Sequence, residues 1–488
     1  MMLIAAVLFT LLESARYYEM KKLATINTAS ITESLFAGYV RPLWEEYHLL
    51  VFDATGEGEN RFCMVKANME ALSNENLAPL NGSRLSIGNN LMQINTVGMN
   101  VEHYRYITDE RAFEDAVVAY MKSHMLSESA KFLYGQYEGI KVLIGEEPSS
   151  GTAVSEAVTA LKEGDIASDT AELSEGRKEE ADYDNLPSVE VKENPLDVFS
   201  ELQQKGILAL AVPDSLSISE RSIAGSECVS KRTLSVGNFE EPSETAWTDK
   251  ILLEQYLGEY LSCFTKGKEN RALLYEQEYL IAGKDQDMEN LKAVVNQILA
   301  IREASNLLFL STDSGKQAQA MAVAVSLAGE TANPVVLEIV KWGVLAAWAY
   351  VESLLDVRAL LSGGSISMIK NATEWSSDVT GLATSLLTLG KAKNCEKGLG
   401  YEGYLAILLF MKSEAELSIR ALDVMEATLQ GMEHYSDFKM DRMVLEAKVT
   451  MEYCYPTIFL GMDGLTQGMK REFFLKAEKT YSYRKAGV

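Results

Sequence analysis

Apolar positions recur at helical spacing along much of this chain. Leu253, Tyr256, Leu257, Tyr260, Leu261 and Phe264 make a stripe that predicts an amphipathic helix opening near Thr248. Leu291, Val294, Val295 and Ile298 predict a longer one from Asp287 to about Leu310. Further helices are predicted over Gln317–Gly329, Leu382–Leu389 and Tyr404–Leu429. Pro334 suits the first position of another, which Gly363 and Gly364 stop after Leu361. Its most apolar run, Trp342–Val351, lies between Lys341 and Glu352 and is too short to cross a bilayer, so it reads as a buried core helix.

The first part of the chain mixes the two periods. Helical spacing is read for Glu13–Tyr39, interrupted by Pro42, and for Arg61–Leu72 and Arg111–Met125, the last opened by Asp109. A short strand is predicted within His48–Asp53, a turn at Thr55–Gly58, and β character over Leu85–Ile107, where apolar and polar residues alternate in the second half. Alternation returns near the C-terminus in Met443–Tyr455, Thr457–Leu460 and Glu472–Tyr483. Apolar runs at Ile207–Val212 and Tyr275–Ala282 are also read as strands. The fold class expected is α+β, predominantly helical.

Composition then divides the chain. Between Lys162 and Glu193 stand eleven acidic and four basic residues with few large apolar ones, and Pro213–Glu244 is Ser-rich. Residues 148–245 are therefore read as an acidic, Ser-rich linker with a marginal helix at Val154–Leu161. The other boundaries expected are 1–24 for an N-terminal apolar helix, 25–147 for a small α+β unit, 246–430 for a helical domain and 431–488 for a C-terminal β element. The 488 residues are 47% hydrophobic and 24% charged, enough apolar sequence for sizeable cores. With 70 acidic against 45 basic residues the net charge is −25, which disfavours nucleic acid as a partner.

Met1–Leu12, MMLIAAVLFTLL, carries no charge. As a helix it spans about 18 Å, short of the ~30 Å hydrocarbon core. A signal peptide would carry a basic start and an A-x-A site, both missing here. A buried helix is the second reading. The favoured one is a transmembrane anchor whose first residues precede Met1. Arg16, Lys21 and Lys22 follow the apolar run and by themselves would place that flank in the cytoplasm.

Candidate chemistry is sparse. Cys63, Cys228, Cys263, Cys395 and Cys454 are scattered without CxxC spacing, and His48, His103, His124 and His434 each stand alone. Asp285, Asp287 and Glu289 open like a calcium loop, but its sixth and twelfth positions are Asn290 and Asn296, so a helix start explains the acids better. Ser314-Gly315-Lys316 lacks the rest of a phosphate-binding loop, and Gly363-Gly364-Ser365 reads as a helix stop. The sharpest feature is Glu352 with Asp356, one turn apart in an apolar helix. Such a pair suits acid–base work or a metal. Equally, it suits a buried ion-pair network in which Arg302 or Arg358 neutralises the acids. The favoured reading is a buried polar network of Arg302, Glu303, Asn306, Glu352, Asp356 and Arg358, with no catalytic, cofactor-binding or metal-binding residues and no cofactor.

Three segments carry a resemblance: Glu33–Asp53 (ESLFAGYVRPLWEEYHLLVFD), Tyr279–Leu310 (YLIAGKDQDMENLKAVVNQILAIREASNLLFL) and Trp348–Gly364 (WAYVESLLDVRALLSGG). They resemble the bacterial domain of unknown function family 5702. The resemblance spans most of the chain outside Pro148–Glu244 and carries no catalytic residues. It implies a pseudopilin-like N-terminal helix and an association with tight-adherence (Flp-type) pili. It also implies a chain end inside the cell, a body outside, and further apolar residues before Met1. The expectation is thus a non-enzymatic, single-pass, extracytoplasmic component of the cell envelope, with the membrane and other envelope or pilus-assembly proteins as partners. The alternatives are a surface adhesin or binding module and, third, an enzyme using Glu352 and Asp356.

Overall fold

The fold, a computed structural model, describes residues 2–55, 62–81, 89–124, 150–163, 190–213, 215–239, 247–329, 333–459 and 472–483. It is a predominantly helical α+β fold, as the periodicities predict. Among the described residues six strands occur: β1 (Phe52–Asp53), β2 (Asn95–Tyr106), β3 (Ser365–Ile366), β4 (Leu399–Gly400), β5 (Met443–Pro456) and β6 (Glu472–Ser482). The chain divides into two units. The first joins Met1–Leu126, Gly225–Tyr256 and Glu414–Val488; the second joins Ser127–Ala224 and Leu257–Ser413.

The first unit is a long helix laid on an antiparallel sheet. Helix α1 (Met2–Ala37) contains no Gly or Pro and ends where Gly38 returns its N–H to the Leu35 carbonyl, 3.2 Å. From Glu13 onward one face is buried: Met20, Ala24, Ile31, Leu35 and Phe36 join Val449, Met451, Tyr453 and Tyr455 of β5 in one core. The Tyr453 hydroxyl is met by Thr28 Oγ1 at 2.8 Å and Asn27 Nδ2 at 3.2 Å, which satisfies the polar tip inside that core. Strand β5 is central, pairing antiparallel with β1, β2 and β6. The C-terminal strands are therefore no separate element, contrary to the 431–488 boundary. Met443–Pro456 pairs with Asn95–Tyr106 on one side and with Glu472–Ser482 on the other, so its backbone groups are fully partnered only when both stretches are present.

The region read as a linker is built into both units. Helix Ser150–Glu163 packs on helix Pro334–Leu361 so closely that a Cβ on Gly343 would stand 2.2 Å from the Ala157 Cβ. Helix Pro195–Gln203 buries Leu196, Phe199 and Leu202, and the Phe199 ring meets Tyr350 edge-on at 4.9 Å. In the first unit the 232–238 stretch lies against β2. Asn238 N donates to Tyr104 O at 3.0 Å, Tyr104 N donates to Asn238 Oδ1 at 3.0 Å, and Gly237 N donates to the Asp109 carboxylate at 2.9 Å. A Cβ at Gly237 would come within 2.4 Å of Tyr104 O, so the close approach needs glycine. The most acidic part of the predicted spacer, residues 164–189, lies outside the described residues, as do 56–58 of the predicted turn.

Two predicted strands are helices. Ile207–Ala211 is a short helix burying Ile207, Leu210 and Ala211. Tyr275–Ala282 becomes helix Glu276–Ala282, closed by Gly283 at φ 64°. Both runs are dominated by Leu, Ala, Glu and Gln, which favour helix, and a short apolar run has no decisive period. Within His48–Asp53 only Phe52–Asp53 is strand, and Leu85–Ile107 is strand from Asn95 to Tyr106. The predicted strand at Thr457–Leu460 does not form over Thr457–Phe459, and Leu460 lies outside the described residues.

The second unit is a helical core around Pro334–Leu361. That helix is capped by Asn333, whose side chain accepts from Val335 N at 3.0 Å, and it is released at Gly363, φ 78°. It is long and apolar enough to cross a membrane, but 72% of its most apolar window is buried inside the fold. It is a core helix. Helices Asp287–Thr312 and Ser314–Ala328 flank it.

Candidate functional site

Helices Asp287–Thr312 and Pro334–Leu361 face one another with polar side chains in an apolar setting. Arg302 and Asn306, one turn apart, meet Ser353 and Asp356. Arg302 Nε donates to Asp356 Oδ2 at 3.0 Å. Asn306 Nδ2 donates to Asp356 Oδ2 and to Ser353 Oγ, both at 2.9 Å, and its Oδ1 accepts from Arg302 at 3.2 Å. The remaining Arg302 donors reach the carbonyls of Ser367 (2.9 Å) and Met368 (2.8 Å) and the Tyr404 hydroxyl (3.1 Å).

A loop closes the group from above. Lys370 reaches down to Glu352 Oε1 and to Asp356 Oδ1, the latter at 2.5 Å. Glu352 also accepts from the backbone N–H groups of Ser376 (3.0 Å) and Ser377 (2.8 Å). Two carboxylates thus meet two cations, a neutral set. Arg302, Glu352 and Asp356 are 0% exposed and Lys370 is 3% exposed, so nothing in solution reaches them. Burial presses the Arg302 charge downward, but Tyr404 and Asp356 more than offset it, and the guanidinium sits above its ordinary range. The Tyr404 hydroxyl is pushed up by burial, against the nearby Arg302 charge.

Four of the six predicted network residues, Arg302, Asn306, Glu352 and Asp356, lie together. The other two do not. Arg358 turns to backbone carbonyls: its Nε donates to Leu210 O at 2.6 Å and its Nη1 to Leu386 O at 2.8 Å. The physical reason is angular, because residue 358 lies two positions past Asp356 and so on another side of the helix. Glu303 is half-buried beside Tyr350, whose hydroxyl is pushed up to about 12 by burial and by the Glu303 charge. The cation that completes the group, Lys370, lies in an irregular loop with no periodicity to mark it. With Arg358 turned away, two buried carboxylates face a single guanidinium, and that imbalance is the signal for a second cation.

A second buried acidic group lies in the same unit. Glu276 Oε2 accepts from Ser262 N (2.8 Å) and Oγ (2.9 Å), with Arg271 Nε at 4.0 Å. Glu278 Oε1 accepts from Phe264 N and the Tyr401 hydroxyl, both at 2.8 Å, and has no ion-pair partner among the described residues. Burial pushes Glu278 up to about 7 and the neighbouring Cys263 thiol up to about 11. Asp287, the second acid of the calcium-like run, instead anchors backbone: its carboxylate accepts from Leu274 N (2.9 Å), Tyr275 N (3.1 Å) and Ser219 Oγ (2.6 Å). Asp313 caps helix Ser314–Ala328 by accepting from Lys316 N at 2.8 Å, which accounts for the Ser314-Gly315-Lys316 motif as a helix start. All five cysteines are free thiols. Among the described residues no three His, Cys, Asp or Glu side chains are placed to share a metal ion.

Both acidic groups tie loops to helices. Glu352 and Lys370 fasten the 367–377 loop, and Glu276 and Glu278 fasten 262–264. What they do chemically is neutralise, accept and hold.

No curated protein and no solved structure matches the chain. The model of a family of unknown function, DUF5702, matches residues 187–455. The match contains Tyr279–Leu310, Trp348–Gly364 and the whole buried polar centre; Glu33–Asp53 and helix α1 precede it. It also takes in 187–244, the stretch that composition alone set aside as linker. With more than half of its residues inside that match, the chain belongs to the DUF5702 family.

Proposed function

We propose that this chain is a membrane-attached, extracytoplasmic structural or assembly component, without catalysis, and that helix α1 attaches it. One observation carries the reading. The first turns of α1 hold Ile4, Val7, Leu8, Leu11 and Leu12 in solvent at 41–71% exposure, whereas from Glu13 the same helix is bedded on the sheet. An apolar helix surface that the described residues leave uncovered suits lipid or other apolar helices. The sealed polar centre supports a non-catalytic body, since a substrate has no path to Glu352 or Asp356. Resemblance extends the reading to an appendage of the tight-adherence type, where α1 would pack beside other anchor helices.

The charged flank bears on topology. Arg16 is buried, donates to Glu13 Oε1 at 2.9 Å and to Pro456 O at 2.6 Å, and is thereby removed from the positive flank. Lys21 and Lys22 remain, a smaller bias against an extracytoplasmic body. The test is fractionation in the native host. The parent chain is expected in the membrane pellet, and Leu8→Asp/Leu11→Asp in the supernatant with an unchanged melting temperature. A parent chain found wholly in the soluble fraction overturns the attachment. Unaltered pili in a deletion strain overturn the assembly role.

A further inference from the structure

Beyond the apolar turns, the exposed face of α1 changes character in a fixed order. At 100° per residue, Ile4, Val7, Leu11, Tyr18 and Lys22 fall within about 60° of one another. The buried residues Glu13, Arg16, Met20, Ala24, Asn27 and Ile31 lie on the opposite side. Reading along the outer stripe, apolar side chains come first, then the aromatic Tyr18, then the cation Lys22, with Lys21 about 40° beyond the edge of the stripe. Tyr18 is 70% exposed, with Tyr17 beside it at 39%. Lys21 and Lys22 are exposed, and neither is held in an ion pair among the described residues. Glu19 is exposed on the flank, while Glu13 and Arg16 neutralise each other inside.

This is the sequence of chemistries met on leaving a bilayer: hydrocarbon, the interfacial zone where tyrosine settles, and the phosphate layer. We propose that Tyr18, Lys21 and Lys22 form a collar that binds the headgroups of anionic phospholipids where α1 leaves the membrane. The inference rests on the attachment reading above and adds the lipid class. Charge complementarity selects that class. The chain as a whole carries −25 and is repelled by an anionic surface, so a local cationic pair on the membrane-facing helix is the feature that can turn repulsion into preference. Tyr18 supplies an amphipathic ring one turn before the ammonium groups, at the depth where its hydroxyl meets water.

Flotation of the full-length chain with vesicles tests this. The vesicles are phosphatidylcholine alone, or phosphatidylcholine with 30% phosphatidylglycerol by design, at about 0.1 M salt. Expected is binding to both, tighter on the anionic vesicles. Each lysine is worth about five-fold, so Lys21→Gln/Lys22→Gln should fall by more than ten-fold on anionic vesicles and stay level on neutral ones. Glu19→Gln should raise the anionic preference. A parent chain without anionic preference, or a double variant that keeps it, overturns the collar while leaving attachment intact. Competition by millimolar inorganic phosphate would show a free-anion site and also overturn it. A chain that floats with neither vesicle defeats the attachment reading and the collar together.

Discussion

Lys370 is the single ammonium that two buried carboxylates share, and its removal strands both. Lys370→Met leaves Glu352 without its ion pair and Asp356 with Arg302 as its one remaining cation, in a place water does not reach. Breaking a buried pair from one side costs about 3–5 kcal/mol. Thermal unfolding of the variant should therefore shift down by about 10 °C, and Glu352→Gln/Lys370→Met should lose less than the two single changes summed. An unchanged melting temperature for Lys370→Met would contradict the pairing. Glu278 makes a pH-dependent case. Burial raises its folded value to about 7 from an ordinary 4.5, so the folded protein holds a proton that the unfolded chain has released. Its contribution is fully present below pH 4.5 and is lost as pH rises from there through 7. The loss is on the order of 3 kcal/mol. Urea melts from pH 4 to 8 should slope downward for the parent chain, and Glu278→Gln should flatten that slope; equal slopes would refute the assignment.

At the scale of elements, the long periodic helices were readable and the short runs were not. Pro334–Leu361 has the predicted ends because its stops are chemical, a proline at the first position and a glycine pair after the last. Met443–Pro456 and Glu472–Ser482 alternate over enough residues to declare themselves. Ile207–Ala211 and Glu276–Ala282 are too short to show a period, and only their packing selects helix. Helix Ser150–Glu163 extends the marginal helix expected over Val154–Leu161, and it is rich in small residues. Those small residues are what let Ala157 approach Gly343. A composition that looks like weak cohesion in one dimension is close packing in three. The candidate site divides the same way. Arg302 with Asn306, and Glu352 with Asp356, share helix faces by arithmetic, so their meeting was legible. Lys370 and Tyr404 arrive from a loop and another helix, and spacing says nothing about them.

At the scale of the molecule, the first unit is assembled from three separated stretches, and that arrangement makes a prediction. A fragment of residues 1–126 contains β1 and β2 but lacks β5, the strand with which both pair. It also lacks Met451, Tyr453 and Tyr455, against which α1 buries its apolar face. The isolated fragment should show helix by far-ultraviolet circular dichroism but no near-ultraviolet signal and no cooperative melt; a cooperative melt would show that the sheet can form without its centre. Residue order alone sets the helix and strand periods, the stops at proline and glycine, the acidity that disfavours nucleic acid, and the need for any buried carboxylate pair to be neutralised. These are local or additive properties, set by neighbours a few residues apart or by a sum over the chain. Tertiary structure alone decided that Lys370 supplies the missing charge, that Asn95–Tyr106 pairs with residues about 350 positions later, and that the supposed linker packs into both units. It also decided that α1 is bedded from Glu13 onward and leaves Ile4, Val7, Leu8, Leu11 and Leu12 exposed before it. Those outcomes depend on which surfaces meet, and burial and hydrogen-bond satisfaction are properties of the meeting, not of either partner.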